Sequence, residues 1–135
     1  MITQALINSI KEEEGFSSHV YKDTLGVLTI GFGTNLKEGI SREEAHALLE
    51  IRLKNKIKGL ISAKPIVENI NSVRQDVLAN MAYQLGVTGV LKFKKMWEAL
   101  DRLDFKTASK EMMDSKWYQQ TPARCERLAT QMYKG

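Results

Sequence analysis

Three side chains in the first thirty residues of this 135-residue chain combine types and spacing that suit acid–base chemistry: Glu14, Asp23 and Thr29. Glu14 stands where a helix should end and Asp23 beside the turn of a hairpin. Thr29 stands on a strand face whose neighbours Gly31 and Gly33 carry no side chain. The C-terminus of a helix carries partial negative charge and disfavours an anionic carboxylate by a few tenths to about 1 kcal/mol. Glu12 and Glu13 add repulsion, and a place on the helix's apolar stripe adds desolvation. All three effects favour the protonated carboxyl that a general acid needs. Asp23, beside a solvated turn, keeps its charge and suits holding or activating a water. Two carboxylates in different environments, facing an open polar strand, meet the needs of glycosidic-bond hydrolysis.

The elements that must position these groups follow from local pattern. Residues 2–14 predict a helix capped by Thr3, with Ile2, Leu6, Ile7, Ile10 and Glu14 on one core-facing stripe, ended by Gly15. Residues 19–33 predict a β-hairpin turning at Thr24-Leu25-Gly26. In its second strand Leu28, Ile30 and Phe32 form the expected core face, and Val27, Thr29, Gly31 and Gly33 the open one. Only Thr34 to Ile40 separate this strand from the capping box Ser41-Arg42-Glu43-Glu44. A long amphipathic helix follows, with Ala45, Leu48, Leu49, Leu53, Ile57 and Leu60 on its stripe.

Pro65 marks a break, and Ile66, Val67 and Ile70 a short helix. Helices are expected over 72–85, stopped by Gly86, over 90–100 and over 104–114. A last one is capped by Thr121 with Pro122 at its first position. Trp97 and Trp117 read as core aromatics. The fold class is α+β and predominantly helical. Residues 1–135 form a single domain with a small hairpin lobe at about 15–40. A connecting helix at about 42–60 leads to a helical lobe at about 60–135, which the 2–14 helix joins.

A chain of this length buries about two-thirds of its unfolded surface and needs no disulfide or metal to fold. The single Cys125 has no internal partner and reads as a packed thiol in a reducing compartment. There is no apolar run long enough to span a bilayer and no secretory signal pattern at the N-terminus, so a cytoplasmic origin is expected. The net charge of +4, from 20 basic and 16 acidic residues, is a mild bias. Lys54, Lys56, Lys58 and Lys64 form one basic cluster and Lys92, Lys94 and Lys95 another. Such runs form solvated faces or attract an anionic polymer, but no aromatic ladder accompanies them as single-strand nucleic acid binding requires.

The order Glu13-Glu14-Gly15, Tyr21-Lys22-Asp23-Thr24 and Leu28-Thr29-Ile30-Gly31-Phe32-Gly33 resembles the phage-type lysozymes of the T-even kind, muramidases of glycoside hydrolase family 24. The resemblance continues through Ala82-Tyr83-Gln84-Leu85-Gly86, Thr88-Gly89-Val90 and Phe93. It closes on Ser115-Lys116-Trp117-Tyr118, Gln120-Thr121-Pro122 and Arg124. It implies a lysozyme-like two-lobe fold and an endolysin that cleaves the β-1,4 bond between N-acetylmuramic acid and N-acetylglucosamine of peptidoglycan. Glu14 would be the general acid, while Asp23 and Thr29 would position the attacking water, which implies inversion. Arg124 would be a basic partner that favours the charged form of Glu14, opposing the dipole. Gly31 would support the open strand face, and Tyr83, Gln84 and Lys116 would line the saccharide cleft. The resemblance implies a monomer without cofactor or metal. It also implies release from the host cytoplasm to the wall through a separate membrane-permeabilising partner, without stable membrane insertion of its own. Two departures stand out: Thr34 follows Gly33 where the family often has histidine, and the short Thr34–Ile40 excursion predicts a reduced sheet.

Other chemistries fit less well. His19, His46 and Cys125 offer zinc-ligand types without zinc-site spacing, and Cys125 has no histidine near it in sequence for a thiol peptidase. A lytic transglycosylase would need Glu14 but no water-holding partner. A catalytically inactive wall-binding or structural module of the same fold is the alternative, and Glu14, Asp23 and Thr29 together argue against it.

Overall fold

The computed structural model describes residues 1–135. In chain order the elements are α1 (Gln4–Glu14), β1 (Ser17–Lys22), β2 (Leu28–Gly31) and β3 (Thr34–Asn35), then α2 (Arg42–Ala63) and α3 (Ser72–Leu91). They are followed by α4 (Lys94–Asp101), α5 (Phe105–Met113), α6 (Lys116–Gln120) and α7 (Pro122–Lys134). Short 3-10 turns occupy Leu36–Glu38 and Pro65–Asn69. The chain is thus α+β and mostly helical, with one small antiparallel sheet in the order β1-β2-β3. It divides into two compact units, Met1–His46 and Ala47–Gly135. No helix is long and apolar enough to cross a membrane.

In the first unit the caps behave as expected. Thr3 accepts from the Leu6 N–H at 3.1 Å, and the Gly15 N–H returns to Lys11 O at 2.9 Å with Gly15 at φ 68°. The capping box closes reciprocally: Ser41 N–H donates to Glu44 at 2.9 Å and Glu44 N–H to Ser41 Oγ at 3.0 Å. The Ser41 N–H first, and the Ser41 hydroxyl beside it, hold the exposed Glu44 carboxyl below its ordinary value.

Two burial expectations fail here. No residue of α1 is buried; Leu6, Ile7 and Ile10 are 48%, 36% and 44% exposed, and Glu14 is exposed with them. The two faces of the second strand are also reversed. Thr29 is 5% exposed and is the one buried residue of this unit, whereas Leu28 and Phe32, assigned to the core face, are 49% and 41% exposed. A unit this small has too few apolar partners to close a core of its own. Phe16 and Phe32 instead pack on one another at 5.3 Å, with the Lys11 ammonium 5.1 Å from the Phe32 ring. The sheet is larger by one strand than the hairpin expected, because Phe32-Gly33 turns the chain into β3, with Ile30 opposite Thr34.

The second unit holds the hydrophobic core. Leu60, Leu78, Met81, Met96, Leu100, Met112 and Met132 are at most 1% exposed, and Trp97 and Trp117 are 2% and 3% exposed. Each such side chain contributes about 1.5–3 kcal/mol by leaving water. The buried indole N–H groups are satisfied: Trp97 donates to Val90 O at 2.9 Å and Trp117 to Gln84 Oε1 at 2.9 Å.

Gly86 breaks the helix as expected, at φ 78° and ψ 157°, but a further turn carries α3 on to Leu91 and delays α4 to Lys94. The short helix α6 escapes the sequence pattern altogether. Pro122 starts α7, yet the Thr121 hydroxyl does not cap it. That hydroxyl donates instead to Trp117 O at 3.4 Å and accepts from Gln84 Nε2 at 3.3 Å. The far end of α7 is clamped by Arg74 of α3, which donates to Met132 O at 2.7 Å and Tyr133 O at 3.0 Å. Its guanidinium lies 3.5 Å from the Phe105 ring centroid. α7 is therefore fixed at both ends, which matters for the arginine it carries.

Candidate active site

Glu14 is delivered by α1 to the β2–β3 turn. Its carboxylate lies so close to Gly33 that a Cβ there would stand 2.5 Å from Oε2 and 2.8 Å from Cδ. Gly33 also holds φ 75°, a conformation that L side chains rarely adopt. The bare α-carbon is thus required by the turn, and it also leaves room for the carboxylate where Glu14 lies. Gly31, at φ 69°, has open space where a Cβ would sit, so only its backbone angle demands glycine.

Asp23 and Thr29 meet on a shared neighbour, Val27. Asp23 Oδ1 accepts the N–H groups of Leu25 at 2.8 Å and Val27 at 2.9 Å. The Val27 carbonyl in turn accepts from the Asp23 N–H at 2.9 Å and from the Thr29 hydroxyl at 2.9 Å. Asp23 therefore organises the turn with one oxygen, which leaves Oδ2 outside that work. Thr29, having spent its proton on Val27, presents lone pairs only. Two acceptors of this kind suit a water that donates one proton to each and turns its own lone pair outward. The reversed strand faces matter here: Thr29 is held inside the hairpin rather than displayed on an open surface.

The helical unit places the remaining candidates in three settings. Tyr83 and Arg124 line a cup of about 460 Å³, with Leu53 and Ile57 of α2 and Asp76 and Asn80 of α3. Arg124 is held there by Asn80, whose Oδ1 accepts Nη2 at 2.6 Å and Nε at 3.1 Å, with Nη2 also 3.4 Å from the Asn80 carbonyl. Asn80 was not singled out from the sequence. The signal available was a polar residue interrupting the apolar run Val77-Leu78-Ala79-Asn80-Met81-Ala82.

Gln84 is absent from that cup. Both ends of its amide are engaged, by Trp117 and Thr121, so it ties α3 to α6 and α7. Lys116, exposed at the start of α6, lines a separate groove with Trp117 and Gln120. Cys125 is buried with its thiol donating to Met112 O at 3.4 Å. Burial, with a smaller contribution from Glu126, pushes it up to about 11. A thiol kept protonated in this way is neither nucleophile nor metal ligand near neutral pH.

Residues 11–131 match the family described as Phage lysozyme. Among curated proteins, the chain is 30% identical over 164 aligned positions to Probable T4-type lysozyme 1 of Dictyostelium discoideum, covering 96% of each chain. It is 29% identical to Probable T4-type lysozyme 2 of the same organism, covering 94% of this chain and 92% of that one. It is also 33% identical to the Pre-baseplate central spike protein Gp5 of Enterobacteria phage T4, over 92% of this chain but only 27% of that much longer protein.

Proposed function

The chain belongs to the phage lysozyme family, and from that premise we propose that it hydrolyses the β-1,4 bond between N-acetylmuramic acid and N-acetylglucosamine in peptidoglycan. Glu14 donates the proton that the leaving oxygen requires. Asp23 Oδ2 and Thr29 Oγ1 accept hydrogen bonds from the two O–H groups of a water. As its oxygen attacks the anomeric carbon from the opposite face, one proton passes to Asp23, the other stays on the new anomeric hydroxyl, and the leaving oxygen departs with the proton from Glu14. The product is inverted. Gly31 keeps the β2 end clear; on the helical unit Arg124 supplies positive charge, and Tyr83 and Lys116 contact saccharide. Gln84 acts indirectly, by holding Trp117.

The observation that carries this reading is the bonding around Val27. It leaves a carboxylate oxygen and a proton-spent hydroxyl as acceptors on the unit in which Glu14 is packed against Gly33. In the cell the protein acts as an endolysin, passing from the host cytoplasm to the wall through a separate membrane-permeabilising partner.

Glu14→Gln tests the assignment. Glu14 is exposed, so the variant folds, but it lacks the acidic proton and should lose at least about a hundredfold in wall lysis. A folded Glu14→Gln variant that lyses walls like the parent would refute it. The first-formed product, read by NMR, should be the α-anomer, and a β-anomer would remove Asp23 and Thr29 from the water-holding role.

A further inference from the structure

A groove of about 620 Å³ lies wholly within the helical unit, where α3, α4 and α6 meet. Buried Met96 and Trp117 and half-buried Phe93 form its floor, and the exposed Lys92, Lys94 and Lys95 stand around it. Glu111 and Asp114 share the lining, but with Lys116 the ammonium groups outnumber the carboxylates. None of these lysines is held in an ion pair, so the positive charge is free to meet a ligand. Of the groove's lysines the catalytic reading above uses Lys116 alone; Lys92, Lys94 and Lys95 lie outside it.

We propose that this groove binds a phosphodiester-linked polyol chain of the bacterial wall, with Lys92, Lys94 and Lys95 on successive phosphates. The proposal rests on the wall-directed reading above and adds a second anionic component to the surface the protein recognises. The chemistry of the lining selects the ligand. Lysine acts on phosphate as a point charge, whereas planar carboxylates are best met by the arginine fork, and no arginine lines the groove. An apolar floor under a charged rim matches a chain that alternates short carbon segments with anionic groups.

The same features disfavour other polyanions. Trp117 is 3% exposed and meets Phe93 edge-on, at 6.2 Å and 80°, so neither ring offers an open platform for bases. The site is concave and takes a chain more readily than the flat face of a bilayer.

The test compares the parent with the triple variant Lys92→Gln, Lys94→Gln, Lys95→Gln, whose fold is checked by its melting curve. Binding is read by co-sedimentation with purified walls that carry glycerol-phosphate polymer and with the same walls stripped of it by hydrofluoric acid. A soluble glycerol-phosphate oligomer serves as competitor. The parent should prefer unstripped walls by about tenfold, and the variant should bind both alike. The slope of log affinity against log salt should fall by about 2 in magnitude, at about 0.7 for each phosphate that a lysine no longer neutralises.

Equal binding of the parent to both walls, or a preference that survives in the variant, would overturn the proposal. So would equally tight, lysine-dependent binding of poly(dT) or of phosphatidylglycerol vesicles, which would assign the groove to nucleic acid or membrane. Cleavage of phosphate-free glycan oligosaccharides should be the same for parent and variant. A parent that fails to cleave them contradicts the catalytic reading, while the wall-binding comparison still decides the groove.

Discussion

Gly33→Ala separates the two demands that the structure places on one backbone position. The new Cβ would stand 2.5 Å from Glu14 Oε2, 2.8 Å from Cδ and 3.0 Å from Cγ, all inside van der Waals contact. It would also sit at φ 75°, where an L residue costs about 1–2 kcal/mol. The clash itself costs less, because Glu14 is exposed and its flexible end can swing aside for about 0.5–1.5 kcal/mol of rotamer strain. That swing moves the carboxyl by about 1 Å, and a misplacement of this size costs roughly a hundredfold in rate.

Gly39→Ala supplies the control. Gly39 has the same φ of 75° but nothing within 4 Å of its would-be Cβ, so it carries the backbone cost without the contact. Thermal unfolding should show similar losses of about 1–2 kcal/mol for the two variants, with somewhat more for Gly33→Ala. Initial rates of wall clearing, measured well below both melting temperatures, should fall about a hundredfold for Gly33→Ala and by less than about twofold for Gly39→Ala. Equal activity in the two variants would show that the closeness of Gly33 to Glu14 has no bearing on catalysis.

Asp23→Asn keeps a carbonyl oxygen for the Leu25 and Val27 N–H groups, so its melting temperature should stay near that of the parent while lysis falls. Asp23→Ala should lose both, at about 1–3 kcal/mol of stability. A stable and fully active Asp23→Ala variant would contradict both roles. Gln84→Leu leaves the buried Trp117 indole without its acceptor and should cost about 1–3 kcal/mol in denaturant unfolding, with KM for glycan changed less than stability. A large rise in KM at unchanged stability would restore Gln84 to the saccharide contacts. Cys125 should resist alkylation in the native state near neutral pH. Because its folded value of about 11 lies above the ordinary 9.0, its contribution to stability is complete below pH 9 and is lost as pH rises through about 11. Rapid native-state alkylation near pH 7 would contradict the buried placement.

The helix boundaries that were legible in the sequence are those set by local chemistry. Thr3, the Ser41–Glu44 box, Gly86 and Pro122 act through bonds or dihedral angles within a few residues: Thr3, the box and Pro122 each start a helix as their types dictate, and Gly86 kinks α3. What depends on distant partners was not legible. Alternation along β2 separates two faces but does not say which is inside, and Thr29 proved to be the buried one. Thr121 looks like a cap from its neighbours, but its hydroxyl is recruited by Gln84 and Trp117 from other helices. α6 and β3 are too short to show a period. In the candidate site, the types at 14, 23 and 29 were readable. The contact between Glu14 and Gly33 and the Asn80 hold on Arg124 join residues distant in sequence and leave no local pattern.

Hydrolysis of one particular glycan bond through Glu14 is tested most directly by mass spectrometry of purified peptidoglycan after digestion. The expected fragments end in reducing N-acetylmuramic acid and are absent from a parallel digest with Glu14→Gln. Anhydro-muramic ends, reducing N-acetylglucosamine ends, released stem peptides, or identical digests from the two proteins would contradict that chemistry.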